Sequence, residues 1–160
     1  MPRKMSKKRE RKSNELNSYV LDTYALQAFL SGESGADAVR DLLVKAAAGK
    51  SKVYVSWISL AEVYYVTYRK SALEEKELLA NNTIEGLKRL SIEIVPAGES
   101  EALKAGHIKA KYPLSVADAF VAALGQIRNA QVVTGDPEFR SLEEAGEIDV
   151  FWLPQKPKIR

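Results

Sequence analysis

The chain has 160 residues, 46% of them hydrophobic and 28% charged, a balance that predicts one soluble globular domain and excludes disordered and membrane classes. It carries no cysteine and one histidine, which excludes disulfide frameworks, thiolate zinc sites, cysteine nucleophiles and mechanisms that need a histidine pair. The formal net charge of +3 is unevenly spread: residues 1–13 hold seven Lys/Arg against Glu10, Lys156, Lys158 and Arg160 follow far downstream, and residues 14–155 carry 14 basic against 20 acidic side chains. The expected organisation is a basic, disordered arm over residues 1–15, an acidic folded domain over 16–153 and a basic tail over 154–160. A basic extension of this kind holds nucleic acid through phosphate contacts, folds back on its own domain or stays solvated. No apolar run reaches the roughly 18–20 residues that span a bilayer, so a cytoplasmic protein with no membrane partner is expected.

Segments of two periodicities alternate along the chain. Ser18-Tyr19-Val20-Leu21 reads as a strand that ends at Asp22 and passes into a helix over 24–30, stopped by Ser31-Gly32. Apolar residues recur at helical spacing over 34–48, with Gly49 as terminator. Val53-Tyr54-Val55-Ser56 is the second strand, followed by helices over 60–69 and 74–90. Ile92-Glu93-Ile94-Val95 is the third strand, closed by Pro96-Ala97-Gly98, and helices over 99–111 and 115–129 follow. Gln131-Val132-Val133-Thr134 is the fourth strand; Gly135-Asp136-Pro137 then turns the chain into a short helix near 137–145, before Asp149-Val150-Phe151-Trp152 closes the domain. Strands alternating with helices predict an α/β three-layer sandwich on a mostly parallel sheet. In such sheets ligands bind beyond the carboxyl ends of the strands.

That rule selects four acids. Asp22 directly follows the first strand and Asp136 comes two residues after Thr134, the last residue of the fourth. Glu62 is expected in the first turn of the helix after the second strand, and Asp118 in the first turn of the helix that begins near Ser115. Capping accounts for each acid singly: Ser59-x-x-Glu62 and Ser115-x-x-Asp118 resemble capping boxes, while Asp22 and Asp136 fit plain N-caps. It does not account for all four on one sheet edge, where like charges about 4 Å apart repel by ~4 kcal/mol at intermediate dielectric. A hard divalent cation, whose ligands are carboxylate oxygens and water, would relieve that repulsion.

Four blocks carry a family resemblance: Val20-Leu21-Asp22-Thr23, Ser59-Leu60-Ala61-Glu62-Val63, the stretch 114–123 around Asp118, and Val133-Thr134-Gly135-Asp136-Pro137-Glu138-Phe139. Together, in order and at fitting spacing over residues 18–153, they resemble the motif blocks of PIN-domain nucleases, and within that superfamily the VapC-type toxins of prokaryotic toxin–antitoxin pairs. The resemblance implies a PIN-like α/β/α sandwich with a central, mostly parallel sheet. It also implies Mg²⁺- or Mn²⁺-dependent hydrolysis of RNA phosphodiesters, a homodimer and a cognate antitoxin protein. Carried over residue by residue, Asp22, Glu62, Asp118 and Asp136 become the metal pocket, supported by the hydroxyls of Thr134 and Thr23. Asp22 and Asp118 are then the principal ligands, with Glu62 and Asp136 on metal-bound waters or a second ion. In many relatives the residue after Thr23 is small, whereas Tyr24 here is bulky.

A negative pocket needs cations to steer a phosphate backbone, and Lys109, Lys111, Arg69 and Lys70 are the candidates within the domain. His107 reads as structural or surface. Trp57, Tyr54, Tyr64, Tyr65 and Tyr68 could stack on bases, but the apolar and aromatic stretch from Trp57 to Tyr68 reads better as a dimer or partner-binding face. Three rival functions stand beside the toxin reading. A haloacid-dehalogenase-like phosphatase wants a second aspartate two residues after the first, where Tyr24 stands. A PIN-like module that binds without cutting, and a housekeeping nuclease of RNA maturation, share the same residues.

Overall fold

Val and Tyr side chains on short runs bounded by polar turns build the five strands of the computed structural model, which describes residues 16–155. The basic arm and residues 156–160 lie outside the described residues. In chain order the elements are β1 (Asn17–Leu21), α1 (Thr23–Ser31), α2 (Ala36–Ala47), β2 (Ser51–Ser56), α3 (Trp57–Lys70) and α4 (Lys76–Lys88). They continue with β3 (Glu93–Val95), α5 (Glu99–Lys111), α6 (Val116–Ile127), β4 (Gln131–Thr134), a 3-10 turn (Pro137–Phe139), α7 (Arg140–Glu144) and β5 (Val150–Trp152). The expected three-layer sandwich is present, and its sheet is wholly parallel, in the order β3-β2-β1-β4-β5.

Successive residues of β1 face opposite layers, and both faces are buried. Val20 joins Tyr54, Val132, Ile108, Leu124, Phe139 and Leu142 under α5, α6 and α7. Leu21 joins Val55, Val133, Leu26, Leu42, Leu60 and Leu87 under α1 to α4. Two covered faces explain why the strands read as continuous apolar runs rather than alternating ones. No helix among the described residues is long and apolar enough to cross a membrane.

The order 3-2-1-4-5 fixes where a ligand can sit. The chain moves outward from β1 through β2 to β3, then returns to the other side of β1 as β4. The crevice beyond the carboxyl ends of β1 and β4 is the topological switch point of such a sheet. Asp22 and Thr134 stand at its two lips, because Leu21 pairs with Val133 one position earlier.

One boundary differs from the sequence reading by more than two residues. Helix α3 starts at Trp57, capped by Ser56, whose hydroxyl accepts from the Ile58 N–H at 3.1 Å. The strand therefore passes into the helix without a loop, and Glu62 falls in the second turn rather than the first. Ser59 is not a cap: it is fully buried and its hydroxyl finds no partner among the described residues.

Candidate active site

Asp22 is 1% exposed and both of its carboxylate oxygens are engaged. As N-cap of α1 it accepts the Ala25 N–H on Oδ1 at 2.8 Å. On Oδ2 it accepts the Thr134 hydroxyl at 2.5 Å. The Thr134 oxygen in turn accepts the Asp136 N–H at 2.9 Å, so one buried hydroxyl fixes two of the acids. Asp136 caps the 3-10 turn by accepting the Glu138 N–H at 2.9 Å, with Pro137 in the first helical position, where its missing N–H costs nothing.

Asp118 arrives from the opposite layer, in the first turn of α6. Ser115 is the N-cap and accepts the Asp118 N–H at 3.1 Å. The serine therefore caps the helix, and its hydroxyl also hydrogen-bonds the Asp118 carboxylate. One carboxylate oxygen each from Asp118, Asp136 and Glu138 lie within 4.8 Å of one another.

The electrostatics of this cluster are unbalanced. Burial pushes the Asp22 carboxyl up to about 7; the Thr134 and Ala25 hydrogen bonds pull it down in part, and the charges of Asp118 and Asp136 raise it further. Asp118 is likewise raised to about 7, first by burial, then by the charge of Asp136 and the hydrogen bond and charge of Glu138, against the Ser115 hydroxyl. No cation among the described residues figures among the causes of either shift. The three ion pairs formed among the described residues, Arg40–Asp37, Lys88–Glu85 and Arg128–Glu93, all lie elsewhere. Oxygen donors held this close with no counter-charge suit a hard divalent ion better than any soft metal.

Of the six acids and hydroxyls singled out in the sequence, Asp22, Thr134, Asp136 and Asp118 come together. Glu62 connects through Thr23 instead. Partial burial raises its pKa, and the Thr23 hydroxyl lowers it by hydrogen bonding, so it is joined to the residue after Asp22. Glu138 went unselected because its position inside a turn carries no strand-end signal. Its spacing of two residues from Asp136, across Pro137, was the clue available.

The steering candidates fare unevenly. Lys109 donates to the Leu114 carbonyl at 2.7 Å, tying the end of α5 to the approach of α6. Arg69 lies over the Tyr65 ring at 5.2 Å. His107 is exposed, in keeping with a surface role. Tyr24 leans over the turn after β4: a Cβ added at Gly135 would stand 2.3 Å from its Cε1. The bulky Tyr24 is thus accommodated by a glycine on the facing loop.

A family model described as PIN domain matches residues 19–145. The chain belongs to the PIN domain family. Solved structures share the fold at low identity. VapBC2 from Rickettsia felis, bound to a DNA fragment from its promoter, superposes with a TM-score of 0.65 at 18% identity, over 86% of this chain and 99% of that one. VapBC-5 from Mycobacterium tuberculosis, of the VapBC family of toxin–antitoxin systems, gives 0.59 at 19% identity, over 84% and 98%. VapC20 of Mycobacterium tuberculosis, a Sarcin-Ricin loop cleaving toxin, gives 0.59 at 15%, over 86% and 100%. No curated protein matches the sequence. The PIN domain fills most of the described residues, and its family match spans Asp22, Glu62, Asp118, Thr134, Asp136 and Glu138 alike.

Proposed function

We propose that this PIN domain is a metal-dependent endoribonuclease and the toxin of a type II toxin–antitoxin pair. The observation that carries the reading is the group of Asp22, Asp118, Asp136 and Glu138 at the sheet's switch point, with no ion pair to any cation among the described residues. Asp118, Asp136 and Glu138 would hold Mg²⁺ or Mn²⁺ directly, with Asp22 oriented beside them by Thr134. Glu62 reaches the site through Thr23 and fits an outer role, on water. When bound, the ion makes a water more nucleophilic and neutralises the charge developing on phosphate oxygens. The chain's own part is to keep the carboxylates aimed and partly dry. The Thr134 hydroxyl and the Ala25 N–H fix Asp22, and the Ser115 and Asp136 caps fix the backbone from which the other acids project.

The toxin role is supported by the fold neighbours, which include VapBC toxin–antitoxin assemblies. A protein partner needs an apolar face, and α3 with α4 supplies one: Trp57, Tyr65 and Tyr68 are exposed, with Leu73 and Leu78 beyond them. A groove of about 300 Å³ lined by Trp57, Leu60, Ala61, Tyr64 and Ile84 runs along this face. It is the surface for the antitoxin or for a second copy of the toxin.

Cleavage of a mixed structured RNA in Mg²⁺, Mn²⁺ and EDTA, with Asp22→Asn prepared alongside, tests the proposal. Cutting that needs the ion and disappears in the variant is the expected result. Absence of both cutting and divalent-ion binding by calorimetry would return the acids to plain helix caps.

A further inference from the structure

A cluster of carboxylates repels a phosphate backbone, so a cation beside it is needed to hold the strand. Most cations near the sheet are spent or misplaced. Lys109 is bonded to the Leu114 carbonyl. Arg69 lies near the far end of α3, ~18 Å along the helix from its start at the carboxyl edge of β2. Arg128 pairs with Glu93 at the start of β3 and lies over the Tyr54 ring, at the amino edge. Arg140 differs from all three. It directly follows the turn that Asp136 caps and Glu138 occupies, and the fully buried Phe139 pins that turn one residue before it.

The Arg140 guanidinium lies over the Trp152 ring at 5.5 Å. Trp152 ends β5 and pairs with Thr134 in the parallel ladder, so the two stand ~4.8 Å apart along the carboxyl edge and face the same layer. Trp152 packs with the core under α5, α6 and α7, the layer from which Asp118 comes. The indole N–H donates to the two Glu143 carboxylate oxygens at 3.2 and 3.1 Å. That bond fixes the ring, and it also engages the acid that would ordinarily pair with Arg140 three residues away on a helix. The exposed Arg140 side chain has no ion pair or hydrogen bond among the described residues. An aromatic face holds a guanidinium by its charge and supplies no oxygen to its five N–H donors, which stay available to a ligand.

We propose that Arg140, held on Trp152, binds a phosphate of the RNA strand next to the one at the carboxylates. The inference rests on the ribonuclease reading of the site and adds the substrate-holding contact that reading lacks. The planar fork of an arginine matches two oxygens of one phosphate, and its charge offsets the acids that repel the strand. Arg140 is the contact residue and Trp152 the positioning residue.

The test is fluorescence anisotropy of a labelled random-sequence single-stranded RNA across a salt series, in EDTA so that no strand is cut. Wild type is compared with Arg140→Gln, Trp152→Leu and the double variant. Each phosphate contact on a single strand contributes ~0.7 to the slope of log K against log salt, so Arg140→Gln should lose about that much from the slope. Its binding at the lowest salt should weaken about tenfold. Calorimetry with Mn²⁺ alone should show ion binding no weaker than wild type, which separates a lost phosphate contact from damaged carboxylates. Trp152→Leu should weaken RNA binding by itself and add nothing in the Arg140→Gln background, a coupling that a merely structural tryptophan would not show. A wild type that binds RNA with an Arg140→Gln variant of unchanged slope and affinity overturns this inference and leaves the ribonuclease reading intact. Additive losses from the two substitutions overturn the placement by Trp152 and the inference with it. A wild type that cuts RNA but binds none in EDTA overturns it too, since the arginine contact needs no ion. A wild type that neither binds nor cuts RNA takes both readings down.

Discussion

The Thr134 hydroxyl donates to Asp22 at 2.5 Å although 112 residues separate the two in sequence. The bond bridges the carboxyl ends of β1 and β4, and the same oxygen accepts the Asp136 N–H. Replacing Thr134 by Val keeps the shape and strands a buried carboxylate oxygen and a backbone N–H, which should cost ~1–3 kcal/mol. Urea unfolding should show that loss, and RNA cleavage should fall with it. Thr134→Ser keeps the hydroxyl and should recover most of both. Equal activity in the Val and Ser variants would mean that Asp22 needs no help to hold its orientation.

Asp118 and Ser115 separate catalysis from capping. Ser115 supplies the cap of α6, so Asp118→Asn should leave the fold intact, with an unchanged circular dichroism spectrum, while RNA cleavage falls at least a hundredfold. Ser115→Ala should lose ~0.5–2 kcal/mol of stability and, by removing the hydroxyl that lowers the Asp118 pKa, raise that carboxyl further while the side chain itself is retained. Glu138→Gln should raise the divalent-ion concentration needed for half-maximal cleavage. An Asp118→Asn protein that fails to fold would assign that side chain a structural role.

The strand-end rule found Asp22 and Asp136 because a parallel sheet confines polar side chains to its edge, and that edge can be read from where apolar runs stop. Asp118 was legible through its apolar flanks, Val116-Ala117 and Ala119-Phe120, which mark a helix that packs on the sheet. The start of α3 was not legible, because Ser56 and Ser59 are equally good caps by type. Tertiary packing decides between them by burying Ser59. Glu138 was hidden for a different reason. It is exposed and local rules give it no function; only Asp118, brought from α6, adds an acid from a distant part of the sequence beside it and Asp136. The hydrogen bond from Gln155 to the Gly135 carbonyl follows β5 lying beside β4, a pairing that no local pattern encodes.

The raised carboxyls make stability depend on pH with a definite sign. Asp22 and Asp118 titrate near 7 in the folded chain against an ordinary 3.8. Between those values the folded state holds protons that the unfolded state has released, so stability falls as pH rises from about 4 to about 7 and levels off above. Metal-free protein should therefore melt at a higher temperature at pH 5 than at pH 8, and Asp22→Asn should flatten the difference. Added Mg²⁺ or Mn²⁺ should raise the melting temperature most at pH 8, and its binding near pH 6 should release protons measurable by calorimetry in two buffers. A melting temperature that climbs steadily from pH 5 to pH 8 without metal would contradict the burial of these groups.

Tyr24 packs against Gly135, the residue directly before Asp136. An added Cβ at Gly135 would lie 2.3, 2.5 and 2.8 Å from Tyr24 Cε1, Cζ and Oη, well inside contact distance. Gly135→Ala must therefore swing the ring away, an overpacking cost of ~1–3 kcal/mol. It should also disturb the carbonyl that receives Gln155 and the turn between Thr134 and Asp136. Removing the obstacle should remove the cost: in a Tyr24→Ala background the same substitution should be nearly neutral. A double-mutant cycle by urea unfolding measures this, and a coupling of ~1–2 kcal/mol is the expected result. Activity should follow the same pattern, low in Gly135→Ala and restored in the double variant when the ring alone is the obstacle. If Gly135→Ala costs as much without the tyrosine ring as with it, the glycine is required by its own turn, and Tyr24 only leans on a loop whose shape is already fixed.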